Sequence, residues 1–181
     1  MATWTPFPHD NRAFVMDADT LRQRWARLHA GDAEPLPEDP RVLAAWGHFH
    51  AGEFRQAVDA GLKAGGAGVN AANKAQCIHA NYLETDEARK LALFLEAAQR
   101  AEARIAQDPQ DPNGHYLLAY ALGRYSQGIS VAKALAQGLG TRVRTALETA
   151  IRLQPRHADA HIALGTFHAE VIDKVGALIG G

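Results

Sequence analysis

In the stretch RHADAHIALGTFHAE, residues 156–170, three histidines stand at spacings of four and seven. On a helix His157, His161 and His168 would share roughly one face, and imidazoles four residues apart can ligate zinc or nickel. A structural site of that kind normally takes four ligands, and no cysteine or carboxylate at fixed spacing completes this one. The expectation is therefore that these histidines are large packing residues and that the chain holds no metal. His48 and His50 make a weaker pair, because a spacing of two puts them on different helix faces.

Other chemistry-bearing patterns lead the same way. The segment KAGGAGVN, residues 63–70, could line a phosphate, but no strand precedes it and no Gly-Lys-Ser or Gly-Lys-Thr follows. It reads as a helix stop and a turn. Ser126 and Ser130 sit in a turn region without a nucleophile elbow. Asp86 and Glu87 look like the acidic first turn of a helix. Cys77 is the only cysteine and lies inside an apolar helical pattern, so it reads as a buried small residue. No catalytic residue and no cofactor is expected.

The elements that carry these residues emerge when alanine-rich segments are cut at their breakers. DADTLRQRWARLHAGD begins with capping aspartates, sets Leu21, Trp25 and Leu28 on one face and stops at Gly31. After the proline-punctuated linker EPLPEDP, two helical hairpins follow, RVLAAWGHFHAGEFRQAVDAGLKAGG and VNAANKAQCIHANYLETDEARKLALFLEAAQRAEARIAQDP. The remainder supplies the helix QDPNGHYLLAYALGRY, the glycine-spaced SQGISVAKALAQGLG, the helix TRVRTALETAIRLQP and the final histidine-bearing segment. No run alternates β-branched residues as a strand would.

Composition sets outer limits. A chain of 181 residues that is 47% hydrophobic fits one domain or one short repeat array. Its 19 basic and 20 acidic residues nearly balance, so no global field attracts nucleic acid or an anionic membrane. The amino terminus lacks the apolar core of a secretory signal, and no run approaches the ~20 residues that span a bilayer. The expected location is the cytoplasm.

Internal repetition is visible from Pro109 and Pro155. Six residues beyond each lies a histidine, His115 and His161; nine beyond, Leu118 and Leu164; ten beyond, the small Ala119 and Gly165. Ala150 precedes Pro155 by five in AIRLQP. In HFHAGEFRQA one helix ends at Gly52 and the next begins with Phe54 and Ala57, and that register carried onward reaches Ala75, Ile78, His79 and Tyr82. The pattern resembles the tetratricopeptide repeat family over about residues 38–172. It departs where His115 and His161 replace tryptophan, where Arg104 replaces alanine, and where the Pro109–Pro155 spacing exceeds the roughly 34-residue repeat. An excess of that kind, carried by YSQGISVAKALAQGLG between HYLLAYALGRY and ALETAIRLQPRHADAHIALGTFHAEV, is similar to the regulator of microtubule dynamics family and its bacterial relatives.

The resemblance implies an all-α fold of antiparallel helical hairpins stacked as a right-handed solenoid, without a known catalytic role. Residues 1–37 would form an N-terminal segment with one short helix. Residues 38–181 would form the repeat domain, with an insertion around 124–140 and an incomplete last repeat. In the first helices the stripe at 115, 118, 119 and 122 should pack inward, Gly165 should permit a close helix crossing, and a histidine ring should find a carbonyl. The concave surface lies about a third of a turn away. It collects Trp46, His50, Asn73, Gln76, Tyr116, Tyr120, Arg124, Ile162, Thr166 and Glu170, among them the side-chain types most frequent as binding anchors.

The expected function is that of a non-catalytic protein-interaction module whose groove takes a peptide or partner surface. The alternative is a small-molecule-binding accessory protein with a pocket between the groove and the 124–140 insertion. Polar residues converging with that insertion would favour the alternative. The apolar VIDKVGALIGG raises a third possibility, a truncated chain or a homo-oligomer formed through an uncapped carboxyl end.

Overall fold

The computed structural model describes the backbone of residues 4–179 and the side chains of residues 4–172, and among these the chain is all-helical. A 3-10 turn, Arg12–Phe14, precedes α1 (Ala18–Leu28), α2 (Pro40–His50), α3 (Phe54–Ala64), α4 (Gly68–Tyr82) and α5 (Glu87–Gln107). The chain continues through α6 (Pro112–Gln127), the short α7 (Val131–Ala136), α8 (Leu139–Leu153) and α9 (Ala158–Ile179). Helix starts follow local chemistry. Asp17, Asp39, Asp86, Asp111 and Ser130 each accept a hydrogen bond from a backbone N–H of the first turn, and Pro40 and Pro112 stand where no intrahelical donor is needed. Asp86 is thus a cap, as its setting in the sequence implies. KAGGAGVN is a helix stop: α3 ends at Ala64, and Gly65 and Gly66 take φ of +69° and +52° before α4 begins.

Each helix from α2 to α5 packs on its successor, α6 packs on α8, and α8 on α7 and α9; α4 also touches α2 and α6. The larger core lies among α4, α5, α6 and α8, centred on Phe94, Leu117, Leu122, Leu139 and Leu147. A second joins α1, α2 and α4 through Leu21, Trp25, Leu43, Trp46 and Ala71. Helices α3 and α4 approach closely, and a methyl group on Gly61 or Gly68 would run into the other glycine's carbonyl oxygen.

Two sequence expectations change here. Nothing lies within 4 Å of where a Gly165 side chain would start, so the close crossing expected there is made by Gly61 and Gly68 instead. The inward stripe of α6 is Tyr116, Leu117, Ala119, Ala121, Leu122 and Tyr125, so Tyr116 rather than His115 turns inward. The Pro-to-His register nevertheless reappears as geometry, because His115 Nε2 lies 3.1 Å from the Pro109 carbonyl and His161 Nε2 lies 3.1 Å from that of Pro155. These rings close the interhelical turn from the surface. The carboxyl-terminal VIDKVGALIGG, on which the uncapped-end expectation rests, has its side chains beyond Ile172 outside the described residues.

Between α1 and α2 the chain does not simply link helices. Residues 29–34 turn back beneath α1 and lie across α4, α6 and the start of α9. His29 O accepts from Ala33 N at 2.8 Å, Trp25 Nε1 donates to Glu34 O at 2.8 Å, and Asn113 Nδ2 donates to Asp32 O at 3.1 Å. Asp159 N donates to Gly31 O at 3.0 Å. Ala33, with φ +48°, is the one described non-glycine residue in the left-handed region, a conformation that costs about 1–2 kcal/mol and that these tethers hold in place.

Candidate functional site

The expected concave residues separate into two sets. Tyr116, Tyr120 and Arg124 of α6 and Ile162, Thr166 and Glu170 of α9 line one cavity of about 470 Å³. Trp46, His50, Asn73 and Gln76 do not reach it. Trp46 is 1% exposed, with its ring edge-on to Trp25 and His29. Asn73 accepts from Arg100 Nε at 3.0 Å, and Gln76 donates to the Leu93 carbonyl at 2.8 Å, so both are sealed against α5 rather than facing a groove. On α4 the side chains that face residues 29–34 are Asn70 and Lys74, out of phase with the positions that the carried register selects.

The cavity is built by four helices. Leu139, Val143 and Leu147 of α8 form its buried floor, and Val131, Ala134 and Leu135 of α7 form one wall. Phe167 and Ile162 of α9 stand opposite. Tyr116 and Tyr120, one turn apart on α6, have ring centroids 6.3 Å from each other. Burial raises both phenol pKa values, so both hydroxyls stay protonated around neutrality. At one end Arg124 stacks over Tyr120, its guanidinium carbon 5.4 Å from the ring centre. Arg124 donates to Gln127 Oε1 at 3.1 Å, and Gln127 Nε2 donates to Glu170 Oε1 at 2.7 Å. This polar clasp ties α6 to α9 across the rim while the interior remains apolar. Leu135 (72% exposed) and Ile162 (68%) keep much of their surface in water although they line it.

The histidines of the opening motif are divided. His157 is fully buried; its Nε2 faces Asn113 Oδ1 at 3.0 Å and its Nδ1 accepts from Ala160 N at 3.2 Å, which occupies both ring nitrogens. His161 is spent on Pro155, and His168 is exposed beside Phe167. Burial pushes the Cys77 thiol up to about 12, which keeps it protonated and a poor nucleophile.

Sequence reasoning missed the polar cluster under residues 29–34. Asp32, 2% exposed, faces His29 Nδ1 at 3.0 Å and Lys74 Nζ at 2.5 Å. His29 and His50 meet through Nε2 atoms 3.1 Å apart, so one ring donates and the other accepts. Burial lowers the His50 pKa to about 4, and His29 and Lys74 reinforce the shift. Although burial opposes it, the carboxyl of Asp32 is held well below the usual range by His29 and Lys74. The available sequence signal was a run of two acids between Gly31 and two prolines, which reads as linker composition.

Residues 70–174, more than half of the chain, match the family described as Regulator of microtubule dynamics protein 1-3. The chain belongs to that family. The match runs from the start of α4 into α9 and so contains the whole cavity, including the α7 insertion that carries the resemblance in the sequence. No curated protein and no solved structure gives a match. No helix among the described residues is long and apolar enough to cross a membrane.

Proposed function

We propose that this member of the regulator of microtubule dynamics family is a non-catalytic, cytoplasmic protein-interaction module. Its hairpins stack in the manner of tetratricopeptide repeats, and the α6–α9 cavity receives an apolar, helix-forming segment of a protein partner. The observation that carries the reading is the convergence of Tyr116, Tyr120 and Arg124 with Ile162 and Phe167 around an open apolar cavity. Aromatic side chains with a neighbouring arginine are the usual anchors of such contacts, and a helix lays its apolar residues into grooves of this form. The family name brings no microtubule contact with it, since no residue of this chain is diagnostic of one.

One observation favours a small apolar molecule as a second reading. The insertion folds as α7 and supplies a wall through Val131, Ala134 and Leu135, beside the polar Arg124, Ser126 and Gln127. The volume of about 470 Å³ lies within the ~300–1,000 Å³ of ligand pockets. The test uses the double variant Leu135→Glu, Ile162→Glu, which places two charges in the cavity at exposed positions. Wild-type chain bearing a photo-crosslinker at Thr166, recovered from its native host, should yield a crosslinked protein that the double variant does not. A solvent-extractable apolar molecule retained by the wild type alone would decide for the second reading. If wild type and variant behave alike in both assays, the cavity is not a binding site.

A further inference from the structure

One charge at the cavity rim is held in place but left uncompensated. Lys74, Arg89, Lys90, Arg100 and Arg104 are half-buried, and each pairs with a carboxylate. Arg124 is the other half-buried cation among the described residues, and it meets no carboxylate there. Its guanidinium is positioned by neutral groups instead: the face of Tyr120, 5.4 Å from the ring centre, and Gln127 Oε1 at 3.1 Å. Glu170 does not reach it, because Gln127 stands between the two and donates its amide to Glu170 Oε1 at 2.7 Å. A guanidinium carries more N–H donors than one amide oxygen can take.

The cavity has the length of two helical turns. Tyr116 to Arg124 on α6 and Ile162 to Glu170 on α9 each rise about 12 Å, and both runs line it. Arg124 and Glu170 stand at one end. Asp159 stands near Tyr116 at the other, where its charge adds to burial in keeping the phenol protonated.

Resting on the reading of this cavity as a helix-binding groove, we propose that the partner segment is an amphipathic helix with an aspartate or glutamate just beyond its apolar stripe, and that this acid pairs with Arg124. A helix laid into the groove removes water from the guanidinium. An occupant bearing a carboxylate offsets that loss with charge-assisted hydrogen bonds, whereas an apolar or basic one leaves a desolvated charge without a partner. The stacked and tethered guanidinium is already in place, so little side-chain freedom is lost on pairing. Asp159 makes a second carboxylate at the far end unfavourable, so the acid also sets which way the helix lies. Arg124 is thus a specificity-determining residue, and Leu135, Ile162 and Phe167 supply the apolar contact.

Selection from displayed peptides on the full chain tests the acid contact. The probes are alanine-rich helices with Leu, Ile or Phe at positions i, i+3, i+4 and i+7, and with Glu, Gln or Lys varied in the turns on either side of that stripe. Cavity-dependent peptides are those that bind wild type and are lost on Leu135→Glu, Ile162→Glu. Among them Glu should be enriched at one end of the stripe and not at both, and on Arg124→Glu the enrichment should pass to Lys at that end. For a selected peptide, replacing its Glu by Gln should weaken binding to wild type about tenfold and leave binding to Arg124→Gln unchanged, as read by fluorescence anisotropy. The Glu-to-Gln comparison on wild type alone carries the decision if either Arg124 variant fails to fold. Cavity-dependent peptides indifferent to flanking charge, or a Glu preference that survives Arg124→Glu, overturn the acid contact and leave the groove standing. If no peptide depends on Leu135 and Ile162, both are overturned.

Discussion

The inner side of this molecule is filled at one end and open at the other. Toward the amino terminus, residues 29–34 occupy it with a buried polar cluster in which Asp32 meets Lys74 and His29, and Trp46 is sealed beneath. Toward the carboxyl terminus, the equivalent space between α6 and α9 is apolar, floored by α8, walled by α7 and accessible to solvent. The same helical framework thus builds an internal contact in one place and a vacancy in the other. The difference comes from what the chain inserts: a tethered acidic turn in the first case, a short apolar helix at the border in the second.

That contrast breaks most visibly at Trp46. Trp46→Ala should lower stability by about 3–5 kcal/mol, since a wholly buried aromatic leaves a cavity, and thermal or urea unfolding would show it. A change no larger than that of an exposed residue would mean that the amino-terminal end is not filled as described. Asp32→Ala should cost about 3 kcal/mol by leaving the mostly buried Lys74 without its partner; Asp32→Ala together with Lys74→Met should recover part of that loss. A double-mutant cycle with no coupling would remove the ion pair from the account of the cluster.

The pH dependence sharpens the comparison. His50 is held neutral in the fold with a pKa near 4, while the unfolded chain protonates it near its ordinary value of about 6.5. Its contribution is intact above about 6.5, is lost progressively as pH falls and levels off below about 4, for a total of about 3 kcal/mol. Urea midpoints measured across that window should shift against the wild type relative to His50→Gln as the solution is acidified. Parallel curves would show that His50 is not shielded.

Glycine substitutions give smaller effects. Gly61→Ala should cost about 1–3 kcal/mol because its methyl group meets the carbonyl oxygen of Gly68. Gly165→Ala, in open space, should be neutral or stabilising by up to about 1 kcal/mol through helix propensity. The smallest change in stability belongs to Leu135→Glu, Ile162→Glu, about 0.5 kcal/mol or less at exposed positions, and a large loss of stability there would mean that these residues are core rather than cavity lining.

Legibility in the sequence followed the range of the interactions. Helix starts at Asp39-Pro40 and Asp111-Pro112 are written within four residues, and the Pro109–His115 and Pro155–His161 contacts within seven, so they could be read directly. Tyr116, Tyr120 and Arg124 share a helix face, and the repeat register joined them to Ile162, Thr166 and Glu170, so that half of the cavity was visible. Its other lining, Val131, Leu135 and Phe167, carries the same hydrophobic pattern as any core residue and cannot be distinguished without the fold. Asn73 and Gln76 were misplaced because the α4 register was carried across a glycine-rich turn, where a shift of one or two residues rotates every side chain. The turn at residues 29–34 was unreadable for a different reason: Asn113 and Asp32 are 81 residues apart, and nothing local in GDAEPLPED separates a folded turn from a linker.

The hydrogen bond from Asp159 N to Gly31 O, together with that from Asn113 to Asp32 O, joins the beginning of the chain to its last described helix. A row of helices that touch only their neighbours can lose its terminal units one at a time, because each unit's stability is nearly its own. A tie between residues 31 and 159 changes that accounting: α9 cannot peel away without disturbing the turn on which α1, α4 and α6 also rest. These bonds place α1 and the first turn of α9 in one cooperative unit, so the two should melt together rather than fray independently.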